Sequence, residues 1–210
     1  GGVVGAVRNG GIIQISFAAT LVQGKTYAGG LVGHFAGSEN GGNFYTVVMM
    51  SYADCYLQDG QDGGTPYAGG LIGMKALGVT LELENVYAVG FIDMVGNGNK
   101  TAAGLCGGWA SGTTAKNAYA AMHYAGAGTI QPLAYNVQQS DGTRCYFLED
   151  DMNTDGKTYG EMTAPAFLNA MGGAFMAPAE THPYNLDGPR GTYPFPGLAG
   201  LPHYGDWLSE

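Results

Sequence analysis

Apolar and polar side chains alternate in Leu81-Glu-Leu-Glu-Asn85, and the stretches 44–50 and 80–89 are short and rich in β-branched or aromatic residues. A period of two sends successive side chains to opposite faces of a strand, so these segments are predicted strands. Before about residue 160, no stretch free of interior glycine carries an apolar stripe at helical spacing. A longer period is superimposed on the short one. Tyr27-Ala-Gly-Gly-Leu-Val-Gly33 returns as Tyr67-Ala-Gly-Gly-Leu-Ile-Gly73. Its last four positions, small-apolar-apolar-small, recur at Gly2-Val-Val-Gly5 and Gly104-Leu-Cys-Gly107 and, with both glycines lost, at Gln131-Pro-Leu-Ala134. A second motif follows: Asn43-Phe-Tyr45, Asn85-Val-Tyr87 and Asn117-Ala-Tyr119 begin 10, 12 and 10 residues after their quartets, with Ile15-Ser-Phe17 and Arg144-Cys-Tyr146 as degenerate copies. The quartets start at Gly2, Gly30, Gly70, Gly104 and Gln131, with periods of 28, 40, 34 and 27 residues, in the range of solenoid arrays.

These patterns predict an all-β chain: a parallel β-solenoid (β-helix) of about five rungs over residues 1–147, closed by a C-terminal capping segment, 148–210. Stacked coils would put Leu31 and Leu71 inside, with glycine taking the turns beside them. Equivalent residues would form ladders, an aromatic one of Phe17, Tyr45, Tyr87, Tyr119 and Tyr146 and an amide one of Asn43, Asn85 and Asn117. The aromatic row reads as core, with a sugar-stacking surface as the alternative. Variable length is assigned mostly to loops after Asn-x-Tyr, such as the polar stretch 58–66. In the cap, Thr163 is a plausible helix N-cap, Pro165 fits the first turn, and Phe167, Leu168 and Met171 supply an apolar face before Gly172-Gly173. One short helix is expected there, laid over the last coil. A Pro-rich extended tail follows through Pro178, Pro183, Pro189, Pro194, Pro196 and Pro202, with Tyr204 and Trp207 packing back. The chain starts inside a repeat. The first rung is therefore expected to be an open edge, left by upstream truncation or covered by head-to-tail stacking of copies.

Composition narrows the function classes. With 38 Gly and 9 Pro in 210 residues, the chain is too punctuated for long helices, while 45% hydrophobic and 12% charged residues suffice for a core. A net charge of −9, from 8 Lys+Arg against 17 Asp+Glu, disfavours nucleic acid and anionic membranes as partners. No apolar run long enough for a membrane span is present, and the first residues lack the basic segment and apolar block of a signal peptide, which reads as a fragment or a mature product. Cys55, Cys106 and Cys145 are too few for a disulfide scaffold and lack zinc-site spacing; their expected state is small buried apolar residues, with one bridge at most.

Candidate chemistry is sparse. Asp151, Asn153 and Asp155, with Gly156, alternate like a calcium loop, but position twelve is Met162 and Glu161 falls one short. An ordinary acidic turn is the competing reading. Asp59 and Asp62 lie in a long loop whose spacing says nothing of cations. His34, His123, His182 and His203 are scattered, with no paired zinc-ligand spacing. Ser111 is one position late for a nucleophile elbow, and Asn99-Lys-Thr101 is a chance-level glycosylation tripeptide. Asp54, Glu82, Glu84 and Asp93 are the carboxylates a polysaccharide-cleaving β-helix would draw on, yet no acidic position recurs across the repeats.

The repeated Tyr-Ala-Gly-Gly-Leu-Val-Gly resembles the GLUG motif of large bacterial cell-surface and secreted proteins. Downstream, Cys145-Tyr-Phe-Leu148, Met162-Thr163, Phe167-Leu-Asn169 and Tyr193-Pro-Phe-Pro196 resemble the closing segment of such arrays. His203-Tyr-Gly-Asp-Trp207 is similar to a sequence that often ends these regions in anaerobic gut bacteria. The resemblance implies a β-solenoid on a surface protein, often adhesin-like, and some such arrays accompany metallopeptidases that cleave immunoglobulin A. It supplies no catalytic residue. The expected function is a non-enzymatic structural or adhesive segment at the bacterial cell surface or outside the cell, binding a host or neighbouring-cell protein or glycan. No cofactor, metal or membrane insertion is expected. The alternatives are a self-assembling filament subunit and a carbohydrate-active enzyme.

Overall fold

The computed structural model describes residues 1–37, 42–59, 67–94, 100–108, 112–126, 128–134, 143–149, 156–176, 195–199 and 201. In chain order the strands begin with β1 (Val4–Arg8), β2 (Gly11–Gln14), β3 (Phe17–Gly24), β4 (Tyr27–Gly29), β5 (Val32–Ala36) and β6 (Phe44–Asp59). They continue with β7 (Tyr67–Gly69), β8 (Ile72–Lys75), β9 (Val79–Met94), β10 (Thr101–Ala103), β11 (Cys106–Gly108), β12 (Thr113–Gly126), β13 (Thr129–Gln131) and β14 (Thr143–Phe147). Helices α1 (Tyr159–Met162) and α2 (Pro165–Met171) follow, then the two-residue strands β15 (Phe175–Met176) and β16 (Gly197–Leu198). The protein is therefore mostly β.

Strands of like sequence lie side by side in three parallel sheets, ordered β1-β5-β8-β11, β13-β10-β7-β4 and β14-β12-β9-β6-β2, with β3 also pairing β6. Val4, Val32, Ile72 and Cys106 align across the first sheet, and Ala134 bridges to Cys106. Four quartets are thus in register as read, and the fifth is displaced by one residue: Pro132-Leu133-Ala134, and not Gln131-Pro132-Leu133, aligns with Gly104-Leu105-Cys106. The amide of Leu31 donates to the Leu71 carbonyl at 2.9 Å and that of Leu71 to the Leu105 carbonyl at 3.0 Å, and both side chains are 0% exposed. Stacked aliphatics at these positions fill a continuous apolar column, with about 25 cal/mol gained per Å² of apolar surface removed from water.

The glycines mark a close approach. A Cβ added at Gly70 would stand 2.5 Å from the Ala88 Cβ and 2.1 Å from the Gly104 carbonyl oxygen; Gly30 and Gly104 come as near to Ala53 and Ala120, 2.4 Å each. The corner joining the first two sheets therefore presses on an alanine column of the third. In the fifth repeat both sides of the contact change together. Pro132 stands where the others have glycine, since Gln131 aligns with Ala103, and Phe147, aligned with Ala120, stands where they have alanine.

The third sheet bends because each long strand breaks its alternation at one place. Leu81 and Leu83 point into the core, as do Val86, Ala88, Ile92 and Met94. The parity changes at Asn85, whose φ is 52°. Ile15, Met50, Asn117 and Arg144 occupy the equivalent places with φ of 49°, 46°, 50° and 61°. A left-handed residue inserted in a strand re-aims the side chains beyond it and turns the chain, and asparagine tolerates that conformation best among residues with a side chain. This is why Asn-x-Tyr marks the bend. Ile15, β-branched and 61% exposed, bears strain with little burial in return. Ile15→Asn should raise unfolding stability by about 1 kcal/mol, measurable by urea denaturation at unchanged m-value; a loss of stability would contradict the bend.

The register corrects the expected ladders. Phe17 aligns with Tyr52, not Tyr45, and Tyr52 with Tyr87, Tyr119 and Tyr146 in turn. Tyr45 is 60% exposed and pairs with Thr80. Asn43 likewise leaves the amide ladder, in which Asn117 Nδ2 donates to Asn85 Oδ1 at 2.9 Å. The bend in this repeat is at Met50, so extra length lies between the quartet and the bend as well as after it. The mistaken copy arose because Asn43-Phe-Tyr45 carries the right letters at the common spacing.

The cap also differs from expectation. It holds two helices: Thr158 caps α1 through a capping box with Glu161, Thr163 is the C-cap of α1, and Ala164 precedes Pro165 at the start of α2 without a side-chain cap. Its apolar residues lie on the outer face of the third sheet and not over the end of the last coil. At that end, the backbone of Lys157 pairs with Phe147 and Glu149 across the open edge of β14. Pro178, Pro183, Pro189, Pro194, Pro202, Tyr204 and Trp207 lie outside the described residues, as does most of the stretch 58–66.

Candidate functional surface

The outer face of the third sheet gathers the most distinctive side chains. Beyond the bend, Tyr52, Tyr87 and Tyr119 face outward and stack, with ring centroids 4.7 and 5.0 Å apart and planes within 2°. Phe17 extends the column above Tyr52 at 5.5 Å. In-register parallel strands impose this spacing, and equivalent rotamers then bring the rings face to face. Tyr52 and Tyr87 each have a ring on both faces, so neither offers a face to a sugar. The outer edges are covered as well: Phe167 meets Tyr119 edge-on at 5.7 Å, Phe175 and Phe195 lie 5.9 and 6.4 Å from it, and the Tyr119 hydroxyl donates to the Pro196 carbonyl at 2.5 Å. Burial holds the Tyr87 and Tyr119 phenols well above their usual range. The geometry therefore favours core over sugar stacking for the buried rings Tyr52, Tyr87 and Tyr119.

A second aromatic row runs beside the first. Tyr56 stacks on Phe91 at 5.5 Å and its hydroxyl donates to Asp93 Oδ2 at 3.0 Å. That bond and desolvation push the Tyr56 phenol up, desolvation first.

The candidate carboxylates are spread over the sheet. Glu82 accepts from the Tyr45 hydroxyl, Glu84 pairs with Lys116 at 3.1 Å, Asp93 takes the Tyr56 bond, and Asp54 is buried beside the tyrosine column. Glu82 and Glu84 share the face before the bend, and Asp93 stands beyond it, nine residues along the same strand. They do not converge. Among the described residues no three His, Cys, Asp or Glu side chains are grouped as metal ligands would be. His34 packs on Tyr27 at 4.5 Å, and burial, then Arg8, lowers its pKa. His123 sits on the outer face opposite Phe91. Asp151, Asn153, Asp155, Asp62, Asn99, Ser111, His182 and His203 lie outside the described residues, and the side chain of Asp59 is likewise not described.

All three cysteines are free and buried. Burial raises each thiol, Cys106 to about 12 and Cys145 to about 11, while Cys55 goes higher still with Asp54 adding to the effect. Thiols so placed are inert packing groups. Lys75 was missed in the sequence. It is buried, donates to the Val79 carbonyl at 2.5 Å, and desolvation lowers its pKa. Its alignment with Phe35 in the register is the signal that marks an inward position, and the sequence alone gives no such alignment.

No family model, curated protein or solved structure matches the chain. Among the described residues no helix is long and apolar enough to cross a membrane.

Proposed function

We propose that residues 1–147 are a parallel β-solenoid of about five rungs and that the chain is a GLUG-like, non-enzymatic segment of a bacterial surface protein. Its role is to present sheet faces and loops, outside the cell or on its surface, to a host or neighbouring-cell protein or glycan. The observation that carries the reading is the register: four quartets, separated by unequal stretches of sequence, align residue for residue, and the fifth repeat continues the row with a shift of one residue. A frame that tolerates insertions while holding its walls fixed suits display better than catalysis. The dispersal of Asp54, Glu82, Glu84 and Asp93 weighs against a polysaccharide-cleaving site, which needs two carboxyls within about 5–10 Å across a bound sugar. Head-to-tail filament growth meets an obstacle at Lys157, whose backbone occupies the β14 edge that an incoming copy would need.

The test is a panel of glycans and extracellular host proteins presented to the purified chain, with a parallel assay for release of sugar products. Saturable binding without turnover supports the reading. Turnover of a polysaccharide, abolished by Glu82→Gln or Glu84→Gln, overturns it.

A further inference from the structure

We propose that residues 156–176 and 195–199, joined through the β15–β16 ladder, form a strap that undocks from the third sheet as a unit while the parallel sheets stay folded, and so controls exposure of the stacked tyrosines. The two faces of the sheet carry two separate apolar clusters. The inner one joins the three sheets and holds Leu31, Leu71, Leu81 and Leu105, with no residue from beyond Phe147. The outer one is built from Tyr52, Tyr87 and Tyr119 together with Met162, Phe167, Met171, Phe175 and Phe195. Removing the strap thus leaves the inner cluster whole.

The strap has little means of holding its own shape. Its helices are 4 and 7 residues long and its antiparallel ladder joins two residues to two. Elements of that size do not persist in water without a surface to pack on, so docking and local folding are one event. The seam with the sheet is made of ring contacts, the Tyr119 hydroxyl bond to Pro196 and, at the near end where the strap leaves β14, the two backbone bonds of Lys157 to Phe147 and Glu149. The sheet's own cohesion is different in kind, since every internal strand is bonded on both sides to neighbours far away in sequence. A segment with a small interface and a frame with a large one open at different free energies. Opening at the low-energy end uncovers the outer edges of a column of phenols, each able to donate a hydrogen bond to a partner.

Native-state hydrogen exchange with the full chain, read peptide by peptide, tests this alongside acrylamide quenching of tyrosine fluorescence. Amides of α1 and α2 should exchange at least 10-fold faster than those of Leu71 and Leu105. Phe167→Ala should speed exchange in the strap a further 10-fold or more and raise tyrosine quenching, with the sheet amides unchanged. Tyr119→Phe keeps the stack and removes the bond to Pro196, so it should loosen the strap more mildly in the same direction. Strap and sheet amides losing protection together, in the parent or in either variant, would overturn the proposal. Equal protection of the strap before and after both substitutions would overturn it too.

Discussion

Gly70→Val is expected to abolish cooperative folding. The new Cβ would fall 2.1 Å from the Gly104 carbonyl oxygen and 2.5 Å from the Ala88 Cβ. Neither is the end of a flexible side chain: one is backbone of the neighbouring repeat's corner, between β10 and β11, the other a methyl fixed to the facing sheet. Relief requires the quartet corner to move off the third sheet, which opens a gap along the inner column. Overpacking by a single methylene already costs about 1–3 kcal/mol, and a backbone-limited clash belongs with the losses above about 4 kcal/mol. That rivals the whole net stability of an ordinary domain, about 5–15 kcal/mol. Circular dichroism in the near ultraviolet should collapse, with no melting transition left to follow. Gly5→Ala is the internal control, because a Cβ at Gly5 meets nothing within 4 Å. It should stay within about 0.5 kcal/mol of the parent. Should both variants melt normally, the close approach of corner and sheet is wrong.

The second large effect is on alkaline stability. Cys55, Cys106 and Cys145 and the phenols of Tyr87 and Tyr119 all hold their protons more tightly when folded than when unfolded, chiefly through burial. Their stabilising contribution is complete below the unfolded pKa values, near 8.5 for thiols and 10 for phenols, and is lost as pH rises toward the folded ones. Above its unfolded pKa each group withdraws about 1.4 kcal/mol per pH unit. Three thiols begin the fall and two phenols steepen it. Lys75, with its folded pKa lowered, pulls the other way, one group against five. The melting temperature should be level from pH 7 to about 8.5, drop steeply above 9, and leave the chain unfolded by about pH 11. Replacing all three cysteines with alanine should move the onset up by about one pH unit, to where the phenols act. A melting temperature unchanged at pH 11 would contradict the burial of these groups. On the acid side His34 acts in the opposite sense: its lowered pKa means stability is lost as pH falls below about 6.5.

Much of the frame was legible because the first glycine and the leucine of the inner quartets have one use each. Gly30, Gly70 and Gly104 stand where the third sheet leaves no room for a Cβ, and Leu31, Leu71, Leu105 and Leu133 all point inward. The quartet spacing could therefore be read without any alignment. The aromatic column was half legible: Tyr87, Tyr119 and Tyr146 were placed, and Tyr52 was missed. Its bend residue is Met50, which tolerates a positive φ no better than most, so no letter announces the turn there. Asn43-Phe-Tyr45 supplied a decoy that ends seven residues early on the same strand.

The cap was harder for a different reason. Thr163-Ala-Pro165 looks like a helix start, and α2 does begin at Pro165, but the capping box of Thr158 and Glu161 was the better signal for α1 and went unread. Nor does local sequence say which surface a terminal segment seeks. Phe167, Phe175 and Phe195 pack on the tyrosines because those rings leave their edges bare on the outer face, a consequence of the register and not of any motif in the cap.

The most direct check is whether amides in one repeat bond to carbonyls in the next. In an isotope-labelled sample, scalar coupling across the hydrogen bond should connect the Leu31 amide nitrogen to the Leu71 carbonyl carbon and the Leu71 nitrogen to Leu105, at the 2.9 and 3.0 Å separations seen here. Couplings from these amides to carbonyls within their own repeats, or fast exchange of both with water, would contradict the stacked register.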